Sequence, residues 1–170
     1  TLLMDQTFGF SMQKQDVLGP DFNAGNFGLD VLGIPGTNDQ GIGDQRYGGY
    51  PQFRFGNTTS GFFSQLGNRD GWNPIFRDAR TYSIAHNITK VAGNHDFRGG
   101  YFLNYLYLDH WQPETGNPRG QFDFNTGTTR LNGGQNGNIY NQFASFLLGY
   151  VGNAAKSVQN ELMTAREWQH

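Results

Sequence analysis

The feature that most constrains this chain is a pair of long alternating runs between residues 81 and 111. In the first run, one face carries Tyr82, Ile84, His86, Ile88 and Lys90. In the second run, the same face carries Phe97, Gly99, Tyr101, Leu103, Tyr105, Tyr107 and Trp111. Because side chains alternate along a strand, the runs predict strands over about residues 79–91 and 96–111. The turn-like residues 92–95 join them into a hairpin with one apolar, aromatic face.

The second run is much longer than an ordinary strand. It would extend about 45–50 Å at ~3.3 Å per residue, whereas strands average about 5–6 residues. A strand that crosses a bilayer needs about 9–11 tilted residues, and aromatic ends are typical of outer-membrane barrels. The aromatic side chains are therefore candidates for contact with the membrane interface or with another chain: Tyr82, Phe97, Tyr101, Tyr105, Tyr107 and Trp111. The alternative is a buried sandwich or fibre core built from the same rings.

Composition excludes several classes of protein. The chain has 170 residues, no Cys and a net charge of −2, so it has no disulfide framework and no general electrostatic affinity for nucleic acid. No apolar run approaches the ~20 residues of a membrane helix. The 25 Gly and 15% aromatic residues favour strands joined by polar loops. The chain begins without a leader-like segment, which predicts either a processed protein or an internal piece.

The remaining sequence predicts further strands at about 2–13, 50–56, 121–125 and 157–169. Gly-, Asn- and Asp-rich tracts predict long loops at 14–49, 57–77 and 126–138. Residues 139–150 change to a helical period, with a stripe formed by Ile139, Phe143, Phe146, Leu147 and Tyr150. Together these patterns predict an all-β, antiparallel, long-stranded sheet, a segment of a transmembrane β-barrel with one short amphipathic helix. One tight turn and several long loops match the periplasmic and extracellular sides of such a barrel.

No catalytic or cofactor motif is present, so the sequence predicts a protein that is not an enzyme. Asp39 and Asp44, in a Gly-rich loop, offer oxygen ligands of the kind that Ca²⁺ prefers. Their spacing is not that of an EF-hand, and a plain turn is the favoured interpretation. Lys90 either reaches lipid headgroups from its apolar face or is an ordinary solvated residue at a strand end.

Three motifs carry a resemblance to a known family. The pattern N-x-T-K-V-x-G-N-H-x-F-x-x-G is matched by Asn87, Thr89, Lys90, Val91, Gly93, Asn94, His95, Phe97 and Gly100. Arg119, Gly120, Phe122 and Phe124 match R-G-x-F-x-F, and Phe143, Ala144, Phe146, Leu147, Leu148 and Gly149 match F-A-x-F-L-L-G. In these motifs the chain resembles the barrel of TonB-dependent outer-membrane receptors, of the large acidobacterial type with a carboxypeptidase-regulatory-like N-terminal domain. The resemblance is good over about residues 70–170 and loose over 1–69.

The resemblance implies energised uptake of a scarce ligand, such as an iron chelate, a glycan or a peptide, across a bacterial outer membrane. The implied partners are outer-membrane lipid and TonB, the latter only through a plug domain that this sequence does not contain. The motif residues would be barrel scaffold, and the sequence would be an internal barrel segment.

An open sheet of about six strands cannot sit in a bilayer alone, since the smallest single-chain barrels have 8 strands. Its unpaired edges would cost tens of kcal/mol against a folding stability of about 5–15 kcal/mol. Closing strands must come from further sequence or from other chains, or the sheet lies outside a membrane. The competing hypothesis is therefore an excised β-rich fragment that self-assembles into an extracellular fibre, ring or tube through its exposed edges. A soluble sandwich fits less well, because the loops are long and the strands unequal.

Overall fold

The computed structural model describes residues 1–39, 41–55, 65–69, 71–113, 117–132 and 139–170. The chain divides into two compact units. The first unit comprises Thr1–Asp16, Ile75–Trp111 and Asn160–His170, and the second comprises Val17–Pro74 and Gln112–Gln159. The strands are β1 (Leu2–Val17), β2 (Gln52–Arg54), β3 (Gln65–Leu66), β4 (Ile75–Ala92), β5 (His95–Trp111), β6 (Gln121–Asp123), β7 (Asn153–Ala155) and β8 (Met163–Gln169). The described residues form one α-helix, α1 (Ile139–Leu147).

The first unit is a four-stranded sheet in the order β1-β4-β5-β8. Strands β4 and β5 pair without interruption from Phe76↔Trp111 to Ala92↔His95. Their two-residue connection begins at Gly93, whose φ of 61° matches a type II′ hairpin turn, where Gly takes the first central position. The turn fits the right-handed twist of the strands and so fixes the register of the whole hairpin.

The outer strands flank this hairpin antiparallel to their neighbours. Strand β8 pairs with the half of β5 remote from the turn, from Asn104↔Gln169 to His110↔Met163. On the other side, the backbone of Thr1 exchanges hydrogen bonds of 3.2 and 2.9 Å with Val91. Strand β1 therefore runs along the full length of β4.

The second unit is built on a small sheet in the order β3-β2-β6-β7, in which β2 and β6 are parallel. Helix α1 packs Phe143 and Phe146 against this sheet, and the Phe146 ring lies 5.3 Å from Phe55 and 5.2 Å from Phe124. Leu147 and Tyr150 of the predicted stripe are exposed. Phe55 and Phe124 are buried. Gly149, with a φ of 72°, follows the helix in the left-handed conformation that ends many helices.

The predicted fold class, an antiparallel long-stranded sheet with one short helix, is confirmed. Several boundaries differ. Strand β1 continues to Val17, and β4 begins at Ile75 inside the predicted 57–77 loop. The tract at 14–49 contains three short helical turns, Phe22–Ala24, Phe27–Val31 and Gln45–Tyr47, because its Gly and Asn residues permit tight turns. Residues 57–64 and 70 of the predicted 57–77 loop and residues 133–138 of the predicted 126–138 loop lie outside the described residues, as does residue 56 at the end of the predicted strand 50–56.

The predicted strand at 157–169 is wrong in its first half. Within this region the strand is β8, Met163–Gln169, and the preceding strand β7 already ends at Ala155. Between them the backbone bonds to side chains rather than to a neighbouring strand: the Gln159 amide donates to the Tyr47 hydroxyl at 3.0 Å. The weak alternation of apolar and polar residues in this segment does not indicate that its backbone bonds to side chains in place of a neighbouring strand.

Candidate functional sites

The register of the long sheet gathers apolar side chains from four strands on one surface, here called the aromatic face. Even-numbered positions of β1, β4 and β8 and odd-numbered positions of β5 share this face, because Tyr82 pairs with Tyr105 and Tyr105 with Trp168, while Phe10 packs on Tyr82. Its large apolar members are Leu2, Met4, Phe8, Phe10, Met12, Tyr82, Ile84, Ile88, Phe97, Tyr101, Leu103, Tyr105 and Trp168. Most of them are exposed to solvent.

A row of rings crosses the aromatic face at right angles to the strands. The ring centroids of Phe10 and Tyr82 are 5.1 Å apart, those of Tyr82 and Tyr105 6.2 Å, and those of Tyr105 and Trp168 4.5 Å. The row contains one ring from each strand of the sheet. Phe10 and Trp168 remain 61% and 62% exposed, so the row is a surface feature of the kind that forms an aromatic girdle.

Small and polar residues predominate on the opposite face of the sheet, here called the polar face. Close packing of small groups occurs there: a Cβ added at Gly100 would lie 2.7 Å from the Asn87 Oδ1. Among the exposed large apolar residues of the strands, Leu3, Val91, Phe102 and Met163 are on this face. Apolar-out, polar-in alternation of this kind is the pattern of a barrel wall.

Beyond the ring row, the aromatic face ends in a charged belt formed by Lys14, Asp16, Asp78, Arg80, Tyr107, Asp109 and Arg166. Arg80 bonds to Asp78 at 2.5 and 2.9 Å, and Arg166 bonds to Asp109 at 2.7 Å. The Arg166 guanidinium lies 3.5 Å from the centroid of the Tyr107 ring, and the Tyr107 hydroxyl donates to Asp109 at 2.5 Å. Every charge of the belt lies close to an opposite charge, as expected where a surface passes from hydrocarbon to headgroups and water.

The distance between charges on the aromatic face matches a membrane. On β4 the charged positions of this face are Asp78 and Arg80 at one end and Lys90 at the other. The ten-residue interval from Arg80 to Lys90 measures about 34 Å along the strand at ~3.4 Å per residue. With the ~40° tilt of barrel strands, that interval becomes about 25 Å of height, the thickness of the apolar band of outer-membrane barrels.

Two of the surface cavities in the second unit are lined by described residues. The larger, of about 460 Å³, is lined by Pro20, Asp21, Tyr50, Gly67, Asn68 and Arg69. The other, of about 390 Å³, lies between residues 22–26 and 39–48 and is lined by Phe22, Asn23, Gly25, Asn26, Asp39, Gly43, Gln45 and Gly48. Both fall in the size range of small-molecule sites.

Asn38 connects the two segments that form the 390 Å³ cavity. It is fully buried and adopts a φ of 51°, a left-handed conformation that Asn tolerates better than most residues. Its Oδ1 accepts from the amides of Gly28 and Leu29 at 2.8 and 3.3 Å. Its Nδ2 donates to the carbonyls of Tyr47 and Gly49, both at 2.9 Å. One side chain therefore joins both segments that form the cavity.

Asp39 adds a second connection between these segments. Its carboxylate accepts from the Asn26 side chain at 2.6 Å and from the amides of Gly41 and Gly43 at 2.8 and 2.9 Å. Behind it, Lys156 donates to the Asn38 carbonyl, and burial lowers the pKa of Lys156 below its ordinary value. The two segments thus form a rigid, pre-organised rim.

The two carboxylates considered for Ca²⁺ are surrounded by N–H donors. Asp39 closes the turn described above, and Asp44 forms a two-pronged pair with Arg46 at 2.7–3.0 Å. Partial burial acts to raise the pKa of Asp44, but the hydrogen bonds and charge of Arg46 outweigh it and lower that pKa. Within the described part of the chain, no group of three or more His, Cys, Asp or Glu converges on one point.

The family model of the outer membrane β-barrel domain matches residues 1–170. The chain belongs to this family. Neither the curated proteins nor the solved structures include a significant match. The outer membrane β-barrel domain lies in the bacterial outer membrane. Among the described helices, none is long and apolar enough to cross a membrane.

The structure of the outer membrane β-barrel domain separates the six predicted aromatic residues into three groups. Tyr82, Tyr101 and Tyr105 lie on the aromatic face between the charged positions, and Phe97 lies on the same face directly opposite Lys90. Tyr107 belongs to the charged belt instead.

The structure places Trp111 differently from the prediction. It is fully buried and packs near Phe76 at 6.2 Å, so it is not available to lipid or to another chain. Trp111 lies on the same side of β5 as the aromatic face. It is two residues beyond Asp109, however, and so lies outside the interval between Arg80 and Lys90, here called the uncharged band.

The residues of the first and third motifs lie in the strands and turn of the first unit and in the helical region of the second unit. Asn87, Thr89 and Gly100 are on the polar face, and Lys90 and Phe97 pair with each other on the aromatic face. Gly93 and Asn94 form the hairpin turn, followed by His95. Phe143 and Phe146 join the aromatic cluster of the second unit, and Gly149 follows α1.

Sequence reasoning missed the contributions of β8 and of the belt. Trp168 completes the ring row, and Arg80 and Arg166 flank Tyr107 at 5.2 and 3.5 Å. The sequence does place Arg166 and Trp168 two residues apart, and therefore on one face of a strand. Because β8 is antiparallel to β5, Arg166 lies opposite Tyr107 and Trp168 lies opposite Tyr105. Without the register of β8, these pairings could not be predicted from the sequence.

Proposed function

We propose that this outer membrane β-barrel domain forms part of the wall and the outward loops of a TonB-dependent transporter. The transporter would take up a scarce ligand, namely an iron chelate, a glycan or a peptide. TonB would act through a plug domain that is not part of this sequence. The observation that supports the proposal best is the difference between the two ends of the long sheet, since one end has a two-residue turn and the other has long excursions of the chain.

At one end the chain turns within two residues, Gly93 and Asn94. At the other end it leaves the sheet after Asp16 and Trp111 and returns at Ile75 and Asn160. These excursions contain more than half of the chain, including both cavities. Outer-membrane barrels have short periplasmic turns and long extracellular loops, which makes the second unit the outward, ligand-collecting part of the proposed transporter.

Uptake by a deletion strain tests the proposal. The native gene is deleted and restored on a plasmid, and cells are given radiolabelled ferric citrate, maltotriose or trialanine, with and without a protonophore. We expect the deletion to remove protonophore-sensitive uptake of at least one of the three compounds, and the plasmid to restore it. Unchanged energised uptake of all three compounds in the deletion strain would contradict transport.

Cysteine labelling tests the assignment of the two ends separately from uptake, since the chain has no native Cys. In intact cells, we expect a membrane-impermeant maleimide to label Asn132→Cys in the second unit but not Asn94→Cys in the hairpin turn. Permeabilising the outer membrane should expose Asn94→Cys as well. Labelling of Asn94→Cys in intact cells would show that the sheet has the opposite orientation.

One observation supports a second candidate, self-assembly into an extracellular fibre, ring or tube. In the described sheet, β1 and β8 each have a neighbouring strand on one side only. Such edges are templates for pairing with further strands. Size-exclusion chromatography of the native polypeptide with and without detergent separates the candidates: a large assembly that needs no detergent supports self-assembly, and aggregation without detergent supports the barrel.

A further inference from the structure

The 390 Å³ cavity of the second unit has a chemical character that selects among ligands. Its side-chain lining consists of the Phe22 ring, the carboxamides of Asn23, Asn26 and Gln45, and the Asp39 carboxylate. Among the described residues that line it, none is Lys, Arg or His. An anionic ligand would therefore meet the Asp39 carboxylate directly, whereas the Lys156 ammonium lies behind that carboxylate, donates to the Asn38 carbonyl and is not part of the lining. This arrangement disfavours citrate-like or catecholate iron chelates.

The same lining does not suit an apolar ligand. Sites for such molecules are lined mainly by hydrophobic and aromatic side chains with a few polar groups, whereas here a single ring is accompanied by three carboxamides. A carboxamide offers donors and an acceptor side by side. That combination matches adjacent hydroxyl groups, each of which both donates and accepts. An aromatic ring matches the C–H face of a sugar ring through weak C–H contacts.

The segments that carry the ligand-facing groups are joined to each other, and one of those groups is oriented by a neighbouring side chain. Asn23 and Gln45 are exposed at the rim, and Asn26 is oriented by its hydrogen bond to Asp39. The segments that carry them are joined by the buried Asn38 and by the bond from the Gly49 amide to the Gly25 carbonyl, 2.8 Å. Such pre-organisation reduces the entropy lost when a ligand binds.

We infer that this cavity binds a neutral saccharide, with the Phe22 ring against a sugar face and the Asn23, Asn26 and Gln45 carboxamides on its hydroxyl groups. As a statement about the transported substrate, the inference rests on the proposed function. As a statement about binding, it stands on the cavity alone.

Binding is measured on the native full-length polypeptide, purified in a detergent without a sugar headgroup. The probe is an array of neutral oligosaccharides of glucose, galactose, mannose, xylose and N-acetylglucosamine, and the Kd of each hit is determined by calorimetry with ferric citrate as the anionic comparison. We expect saturable binding of at least one neutral oligosaccharide and none of ferric citrate. Absence of any neutral oligosaccharide hit overturns the inference.

Variants locate the site. Asn23→Ala combined with Gln45→Ala removes two exposed side chains and should raise the Kd at least tenfold. The matched control Asn132→Ala removes an exposed carboxamide elsewhere in the same unit and should leave the Kd unchanged. Equal melting temperatures of the three proteins show that the fold is retained. An unchanged Kd in the double variant overturns the inference, as does ferric citrate binding that the double variant abolishes.

The two proposals fail in different ways. Saccharide binding that the double variant weakens, in a strain without energised uptake, rejects transport and keeps the site. Energised uptake of a saccharide that the double variant does not impair rejects the site and keeps transport.

Discussion

Individual side chains divide the long sheet into an aromatic face and a polar face, and neighbouring residues of β5 can be compared directly. Leu103 lies on the aromatic face near the middle of the uncharged band, and Asn104 lies next to it on the polar face. An Arg on the lipid face of a barrel at mid-membrane costs about 2–4 kcal/mol.

We therefore expect Leu103→Arg to lower the free energy of unfolding by that amount, and the matched Asn104→Arg to lower it far less. Urea unfolding of the native polypeptide from lipid vesicles, followed by tryptophan fluorescence, measures both. Equal losses for the two variants would show that the aromatic face does not meet lipid.

The ion pair between Arg54 and Asp123 in the second unit predicts a dependence on pH. Their atoms form two bonds of 2.5 and 2.9 Å, and the hydrogen bonds from Arg54 hold the pKa of Asp123 below its ordinary value. Above about pH 4 the carboxylate is ionised in both folded and unfolded chains, and the pair contributes fully. As the pH falls from there through the lowered pKa, the unfolded chain binds more protons and the contribution is lost.

Because Arg54 is 44% exposed, this contribution is under about 1 kcal/mol. We expect the stability difference between the native protein and Asp123→Asn to shrink as the pH falls from 6 to 2. The exposed Asp30 serves as the control, since Asp30→Asn should show no comparable trend. A difference that stays constant over this range would mean that the pair does not stabilise the folded state.

At the scale of single residues, the alternation of odd and even positions along a strand predicts which face a side chain occupies, but not what surrounds that side chain. Tyr101, Tyr107 and Trp111 are all odd-numbered positions of β5, yet one lies in the uncharged band, one in the charged belt and one in a buried position. Their surroundings depend on the strands on either side, whose register the sequence does not show.

The hairpin turn is the element whose conformation is most restricted. Gly93 has a φ of 61°, and nothing lies within 4 Å of a Cβ added there. The loss on replacing it is therefore one of backbone conformation alone. A left-handed conformation costs a residue with a Cβ about 1–2 kcal/mol.

We expect Gly93→Ala to lower the free energy of unfolding by about that amount. The matched control is Gly99→Ala in β5, where the space is equally open and φ is not positive; it should cost much less. Chemical denaturation of both variants measures the difference. Similar losses at the two sites would mean that the turn conformation does not limit stability.

Elements with a strong local pattern could be predicted from the sequence. The β4–β5 hairpin and α1 have long runs with period 2 or 3.6, and their turn or end residues agree with those runs. The rim around Asn38 could not be predicted. It depends on one buried carboxamide that reaches backbone groups 9–11 residues away, and a single Asn in a loop of many Asn residues gives no periodic signal. The proposed saccharide site was hidden for the same reason.

The whole molecule contains a sheet that is incomplete as a membrane structure. Strands β1 and β8 need further partners before the sheet can enter hydrocarbon, because each unpaired backbone group there costs several kcal/mol. We expect the native polypeptide, measured by denaturing mass spectrometry, to be several times heavier than the 19.0 kDa of this chain. A native mass near 19.0 kDa would require copies of the chain to close the barrel together or would support self-assembly.

Every excursion of the chain into the second unit begins and ends at the same end of the long strands, the end remote from the hairpin turn. The long sheet and the second unit can therefore change independently in evolution. A loop that lengthens, shortens or acquires new side chains alters neither the strand register nor the aromatic face of the sheet. Related barrels could therefore diverge quickly in what they recognise while their walls stay constant. In such a protein, the cell surface is where ligands, bacteriophages and antibodies would select for variation, and the hairpin end is where selection would preserve the sequence.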